Sequence, residues 1–162
     1  MVESAEMPPP VRHHGLQLEL ARLLLVRALR RCAWRNSGVS MIAHTSLPVG
    51  DYQRSKAFYI KALEPLGYRN NMEYGESAGF NDGKNTDFWI SKEKVVVPTH
   101  LAFEARSQSQ VEGFYKAALE AGGRDNGGPG YRDYSPGYYA AFVCDPDGNN
   151  VEAVWYDPSK EK

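Results

Sequence analysis

Residues 44–67, HTSLPVGDYQRSKAFYIKALEPLG, and residues 100–123, HLAFEARSQSQVEGFYKAALEAGG, can be laid on one frame without a gap. His44 falls on His100, Phe58-Tyr59 on Phe114-Tyr115, Leu63-Glu64 on Leu119-Glu120, and Gly67 on Gly123, each pair 56 positions apart. Single matches are cheap, but this many in one register point to a duplicated unit. Each copy opens on a strand-like run, residues 41–49 (MIAHTSLPV) or 98–105 (PTHLAFEA), and continues into a helical pattern. Val111, Phe114, Tyr115, Ala118 and Leu119 recur at i, i+3, i+4, i+7 and i+8, and Phe58, Tyr59, Ala62, Leu63 and Leu66 form the matching stripe. Asp51 is the expected N-cap of the first helix, Ser107 with Gln110 forms a capping-box pattern on the second, and Gly67 and Gly123 are the expected stops.

Three further strands are expected in each unit. They are YRNNMEY, SAGFND and DFWISK in the first, and RDNGGPGYRDY (much of it loop), YYAAFVC and NVEAVWY in the second. The turn DPDGN at 145–149 combines Pro146 after Asp145 with Gly148, a strong hairpin signal. The expected class is α+β: two paired βαβββ modules, about 41–95 and 96–156, curling a mixed sheet around a cavity, with residues 157–162 as a tail.

Residues 1–40 differ from this body. MVESAEMPPP is acidic and proline-rich, whereas residues 16–35 carry Arg22, Arg27, Arg30 and Arg31 against the single acid Glu19, opposite a leucine-rich half-wheel. The segment is read as a partly helical or disordered extension. A mitochondrial address is the alternative to a cytoplasmic location, against which stand Glu3 and Glu6. Met41 stands at the head of the first strand-like run, so the extension need not belong to the working protein.

Composition bounds the function. A formal net charge of -1 over 162 residues gives no electrostatic reason to expect nucleic acid. No apolar run reaches the roughly 18–20 residues that span a bilayer. Cys32 and Cys144 are far apart and form no CxxC, which argues against a disulfide framework or zinc knuckle. The expected partner is a small-molecule substrate, with a homodimer allowed.

Alternation along the strands selects the polar residues worth following. His100 lies opposite Leu101 and Phe103, Glu152 opposite Val151, Ala153 and Trp155, and His44 opposite Ala43, Thr45 and Leu47. If helices cover the apolar face, His44, His100 and Glu152 occupy the other. Two imidazoles and a carboxylate make a 2-His-1-carboxylate donor set, suited to one divalent ion such as Fe2+, Mn2+, Ni2+ or Zn2+. Taken singly, a strand histidine is more often a hydrogen-bonded structural residue, and Glu152 alone is compatible with an exposed strand position. Tyr138 and Tyr139 precede Glu152, and one of them should face the same side as a proton donor or substrate contact. The run GGRDNGGPGYRDYSPG reads as a mobile flap, with Arg132 and Asp133 as candidate substrate contacts beside Trp89.

His44 in the opening strand, the SKAFYIKAL helix, His100 in THLAF and Glu152 in DPDGNNVEAV together resemble the vicinal-oxygen-chelate superfamily. That superfamily includes glyoxalase I, extradiol ring-cleaving dioxygenases, fosfomycin-resistance enzymes and bleomycin-resistance proteins. The resemblance covers about residues 41–156. It implies modules curled around a metal, with bidentate substrate oxygens at the open positions, and a glyoxalase-like or dioxygenase-like enzyme. A non-catalytic sequestering protein of the bleomycin-resistance type is the alternative. One departure stands out. Glyoxalase I has an additional carboxylate ligand on the last strand of its first module, where this chain has Phe88 and Trp89; Asp87 is the nearest acid, and by alternation shares a face with Trp89.

Overall fold

The computed structural model describes residues 42–160, so the expectations for residues 1–40 lie outside the described residues. The first module contains β1 (Thr45–Val49), α1 (Tyr52–Ala62), a 3-10 turn (Glu64–Leu66), β2 (Arg69–Tyr74), β3 (Ser77–Asn81) and β4 (Phe88–Lys92). The second contains β5 (His100–Glu104), α2 (Gln108–Glu120), β6 (Arg124–Tyr131), β7 (Tyr138–Cys144) and β8 (Asn150–Tyr156).

Each module builds its own four-stranded mixed sheet, in the orders β1-β4-β3-β2 and β5-β8-β7-β6. The opening strand of each is parallel to the last, β1 to β4 and β5 to β8, and the remaining neighbours are antiparallel. Parallel neighbours need a long crossover, which the helix and two intervening strands provide.

Both helices begin as their caps dictate. Asp51 accepts a hydrogen bond from the Arg54 amide at 3.1 Å, and Ser107 from the Gln110 amide at 3.3 Å. Gln110 reaches back to the Arg106 amide at 2.7 Å, one residue before the cap. The stops differ in detail from the expectation. Gly67, at φ 87°, follows the 3-10 turn rather than α1 itself, and the left-handed residue after α2 is Gly122, at φ 95°. Gly123 is needed for space instead: a Cβ there would lie 2.5 Å from Val143 Cγ1 and 2.8 Å from the Ala118 carbonyl oxygen.

One core joins the two modules. Phe58, Tyr59, Phe80, Phe88, Phe103, Phe114, Val143 and Val151 are all buried in it, and Phe88 meets Phe103 edge-on at 5.2 Å. The helices lie between the sheets and cover the faces carrying Leu47, Phe103, Val151 and Ala153, so the alternate residues of each strand face away from them.

The glycine-rich run reads as a flap in the sequence, but in the structure much of it is strand. Residues 124–131 form β6 along β7, with register shifts between Asp125 and Gly127 and between Gly127 and Gly130. Bulges need residues that tolerate unusual backbone angles, and Gly127 at φ 142° supplies one. Glycine here marks an irregular strand, a role that composition cannot separate from a loop.

Candidate functional site

The outward face of the second sheet carries a compact polar cluster. His100 stands at the start of β5 and Glu152 in the middle of β8, on adjacent parallel strands. Glu152 is 2% exposed, and its Oε2 lies 3.1 Å from His100 Nε2. Its other oxygen, Oε1, accepts a 2.6 Å hydrogen bond from the Tyr138 hydroxyl on β7. A buried carboxylate needs such partners, because desolvation without them disfavours its charged form. The Tyr138 phenol is held well above its ordinary ionisation range, first by burial and then by the bond to the Glu152 carboxylate. It is therefore a neutral hydroxyl at physiological pH, able to donate a proton but unsuited to act as a phenolate base.

His100 Nδ1 meets both functional groups of one residue, the Asn150 backbone oxygen at 3.2 Å and the Asn150 side-chain Nδ2 at 2.8 Å. The Asn150 amide is itself oriented, since its Oδ1 accepts from Asn126 Nδ2 at 3.0 Å. Asn150 thus supports either tautomer of His100. With the side-chain amide donating to Nδ1, the ring carries its proton on Nε2 and gives it to Glu152. With Nδ1–H donating to the backbone oxygen, Nε2 presents a lone pair.

The other face of interest belongs to the first sheet. There His44, just before β1, lines a cleft of about 500 Å³ together with Ser46, Tyr74, Ser77, Trp89 and Ser91. The Tyr74 and Trp89 rings stack with centroids 6.2 Å apart and an interplanar angle of 22°. Asp87 is not in the cleft lining; its Oδ2 accepts from the Tyr68 hydroxyl at 3.1 Å.

The remaining candidates separate. Tyr139 points to the helix side, where its hydroxyl donates to Glu112 on α2 at 3.0 Å. Arg132 donates to the Gly128 and Tyr131 carbonyl oxygens at 2.6 and 3.2 Å, and its guanidinium lies 5.5 Å from the Phe142 ring centre. Phe142 in turn stacks on His100 at 6.5 Å, so Arg132 flanks the His100–Glu152 cluster at one remove. Asp133 is exposed in the turn that follows β6.

The donor set can be tested for a metal. Two ligands at right angles, each about 2.1 Å from an ion, stand about 3 Å apart. The His100–Glu152 separation of 3.1 Å fits that edge, and the carbonyl beside Nδ1 is the partner that a ligating imidazole requires. Among the described residues, no group of three or more His, Cys, Asp or Glu side chains within one chain forms a metal cage, and His44 stands on the other sheet. Within one chain, His100 and Glu152 therefore stand together and His44 stands apart from them.

A family model described as the Glyoxalase/Bleomycin resistance protein/Dioxygenase superfamily matches residues 41–153. The chain belongs to this superfamily. Among solved members, a glyoxalase/bleomycin resistance protein from Albidiferax ferrireducens T118 is 29% identical, with a TM-score of 0.64 over 73% of this chain and 100% of that one. A glyoxalase/bleomycin resistance protein/dioxygenase family enzyme from Burkholderia phytofirmans PsJN is 16% identical, with a TM-score of 0.58 over 73% and 100%. A lactoylglutathione lyase from Agrobacterium tumefaciens is 18% identical, with a TM-score of 0.55 over 74% and 96%; these last two likenesses show the fold alone. A comparison with curated proteins found no match.

Sequence reasoning passed over Asn150, Phe142, Tyr74 and the serines of this superfamily member's cleft. Alternation was the available signal: Ser46 is two residues from His44, Ser91 two from Trp89, and Phe142 four from Tyr138.

Proposed function

We propose that the chain is a metal-dependent enzyme acting on a small, oxygen-rich substrate. The ion would be held by His100 and Glu152 of one copy and His44 of a second. The observation that carries this reading is the 3.1 Å approach of His100 Nε2 to the buried Glu152 carboxylate on a face turned away from the helices. His44 and His100 occupy equivalent positions in the two modules, each on such a face. A two-fold dimer that sets the first sheet of one copy against the second sheet of the other would complete two identical sites.

A divalent ion bound there supplies Lewis acidity to a substrate carbonyl, enolate or phenolate oxygen. The chain's own residues do the rest. Asn150 sets the ring of His100. Tyr138 orients Glu152 and offers a proton to a substrate oxygen that displaces it. Trp89 and Tyr74 provide apolar surface beside His44, and Arg132, behind Phe142, adds positive potential. The arrangement serves a dioxygenase-like ring cleavage better than a glyoxalase-like isomerisation, whose expected carboxylate base is absent from the described lining of the first-sheet cleft.

A second reading is a sequestering protein of the bleomycin-resistance type. It is favoured by the separation of His44 from the other two donors within one chain and by a roomy aromatic cleft.

Mixing decides between them. His44→Ala and Glu152→Ala proteins, each purified without added metal, should retain little ion separately. After unfolding and co-refolding, their heterodimers should recover one ion per pair of chains, because one of the two shared sites is then intact. Stoichiometric metal in neither the wild type nor the mixture would leave the sequestering reading.

A further inference from the structure

The cleft of the first sheet has a chemistry of its own. Trp89 lies across the sheet at Gly79, its register partner on β3, where a Cβ would come within 2.9 Å of the indole and 2.6 Å of Thr86 Cγ2. The missing side chain at Gly79 is what lets the ring lie flat there. Tyr74 stacks on Trp89 and remains 67% exposed. Beside this aromatic shelf runs a row of hydroxyls across three strands: Ser77 Oγ is 3.0 Å from Ser91 Oγ, which is 3.4 Å from Ser46 Oγ. Among the described residues lining the cleft there is no Lys, Arg, Asp or Glu.

We propose that this cleft binds a flat, uncharged aromatic ring carrying hydroxyl or carbonyl groups. The ring packs on the Trp89–Tyr74 shelf and its oxygens bond to the Ser46–Ser91–Ser77 row. Stacking favours a planar π-system. Hydroxyl side chains can donate or accept, so they suit neutral oxygens of either kind. A multiply anionic ligand would lose its hydration here and find no lysine or arginine of the cleft lining in return. A cleft of about 500 Å³ falls within the range of small-molecule sites. The inference extends the proposed small-molecule reading of these faces, but it does not need the ion.

The test is calorimetric titration of the full chain with 2,7-dihydroxynaphthalene in the presence of EDTA. Its oxygens are too far apart to chelate a metal, so binding reports the shelf alone. Saturable binding is expected, with a shift of the Trp89 indole N–H resonance (assigned through Trp89→Phe). Trp89→Ala should raise Kd about tenfold or more, and Tyr74→Ala and Ser91→Ala severalfold, while Lys116→Ala, on the exposed side of α2, leaves it unchanged. Naphthalene-2,7-disulfonate should bind at least about tenfold more weakly. If Trp89→Ala does not fold, the exposed Tyr74 position decides. No binding at millimolar probe, equal binding of the disulfonate, or indifference to both aromatic substitutions would overturn the proposal. Failure of the metal-mixing experiment would not touch it.

Discussion

The hydroxyl of Tyr59, in α1 of the first module, donates a 2.6 Å hydrogen bond to Oδ2 of Asp145, in the β7–β8 turn of the second. Both residues are buried, and 86 positions separate them. Asp145 also accepts from the Asp147 and Asn149 amides and from Asn149 Nδ2, all within 2.9 Å. Asp147 continues the link, bonding Ser55 Oγ at 2.7 Å and the Gly50 amide at 3.0 Å. The DPDGN segment is thus a clasp between modules as well as a hairpin turn.

Breaking the clasp should cost stability without touching the His100–Glu152 cluster. Tyr59→Phe is expected to lower unfolding free energy by about 1–3 kcal/mol, the loss typical of a hydrogen bond to a charged group. Asp145→Ala, which strands several donors, should cost more, about 3 kcal/mol or above. Urea unfolding followed by circular dichroism checks both. A Tyr59→Phe midpoint equal to wild type would show that the clasp contributes nothing.

Seven of the ten tyrosines have phenols held above their ordinary range: Tyr52, Tyr59, Tyr68, Tyr115, Tyr131, Tyr138 and Tyr139. Burial is the first cause at Tyr52, Tyr59, Tyr68, Tyr138 and Tyr139; at Tyr115 and Tyr131 a carboxylate partner comes first. A raised phenol stays neutral in the fold while it would ionise in the unfolded chain. Its contribution is complete below the unfolded value of about 10 and is lost as pH rises from there through the folded values. Absorbance titration of tyrosinate should therefore lag in the native protein relative to the chain in guanidinium, and unfolding should begin in the same alkaline window. Coincident titration curves would contradict the burial pattern.

At His100 the Asn150 side chain makes the shorter contact with Nδ1, so in metal-free protein the ring should carry its proton on Nε2, facing Glu152. Addition of Zn2+ should move the proton to Nδ1, facing the Asn150 backbone oxygen. Nitrogen-15 chemical shifts of the ring distinguish the two forms. A shift pattern that Zn2+ leaves unchanged would remove His100 from the donor set.

Gly123 offers a packing prediction. With Val143, the Ala118 carbonyl and Phe58 all within 2.9 Å of a new Cβ, Gly123→Ala should destabilise by about 1–3 kcal/mol even though the backbone there is not left-handed. Gly67→Ala meets no neighbour within 4 Å, and its cost should come from φ 87° alone. Thermal unfolding of the pair separates steric from conformational cost.

Local chemistry was enough to read both modules from the chain. Caps at Asp51 and Ser107, helical stripes through Phe58 and Phe114, and the turn at Gly148 each act over a few residues, so spacing alone exposes them. Strand alternation likewise placed Glu152 apart from Val151 and Ala153. The relations that needed tertiary structure are long-range. Whether GGRDNGGPGY pairs as β6 depends on β7 being alongside, which of Tyr138 and Tyr139 reaches Glu152 depends on which face α2 covers, and Tyr59 finds Asp145 only once the modules share a core. The separation of His44 from His100 and Glu152 is of the same kind. Periodicity tells a residue's face within its own sheet, while the distance between two sheets is set by the side chains packed between them.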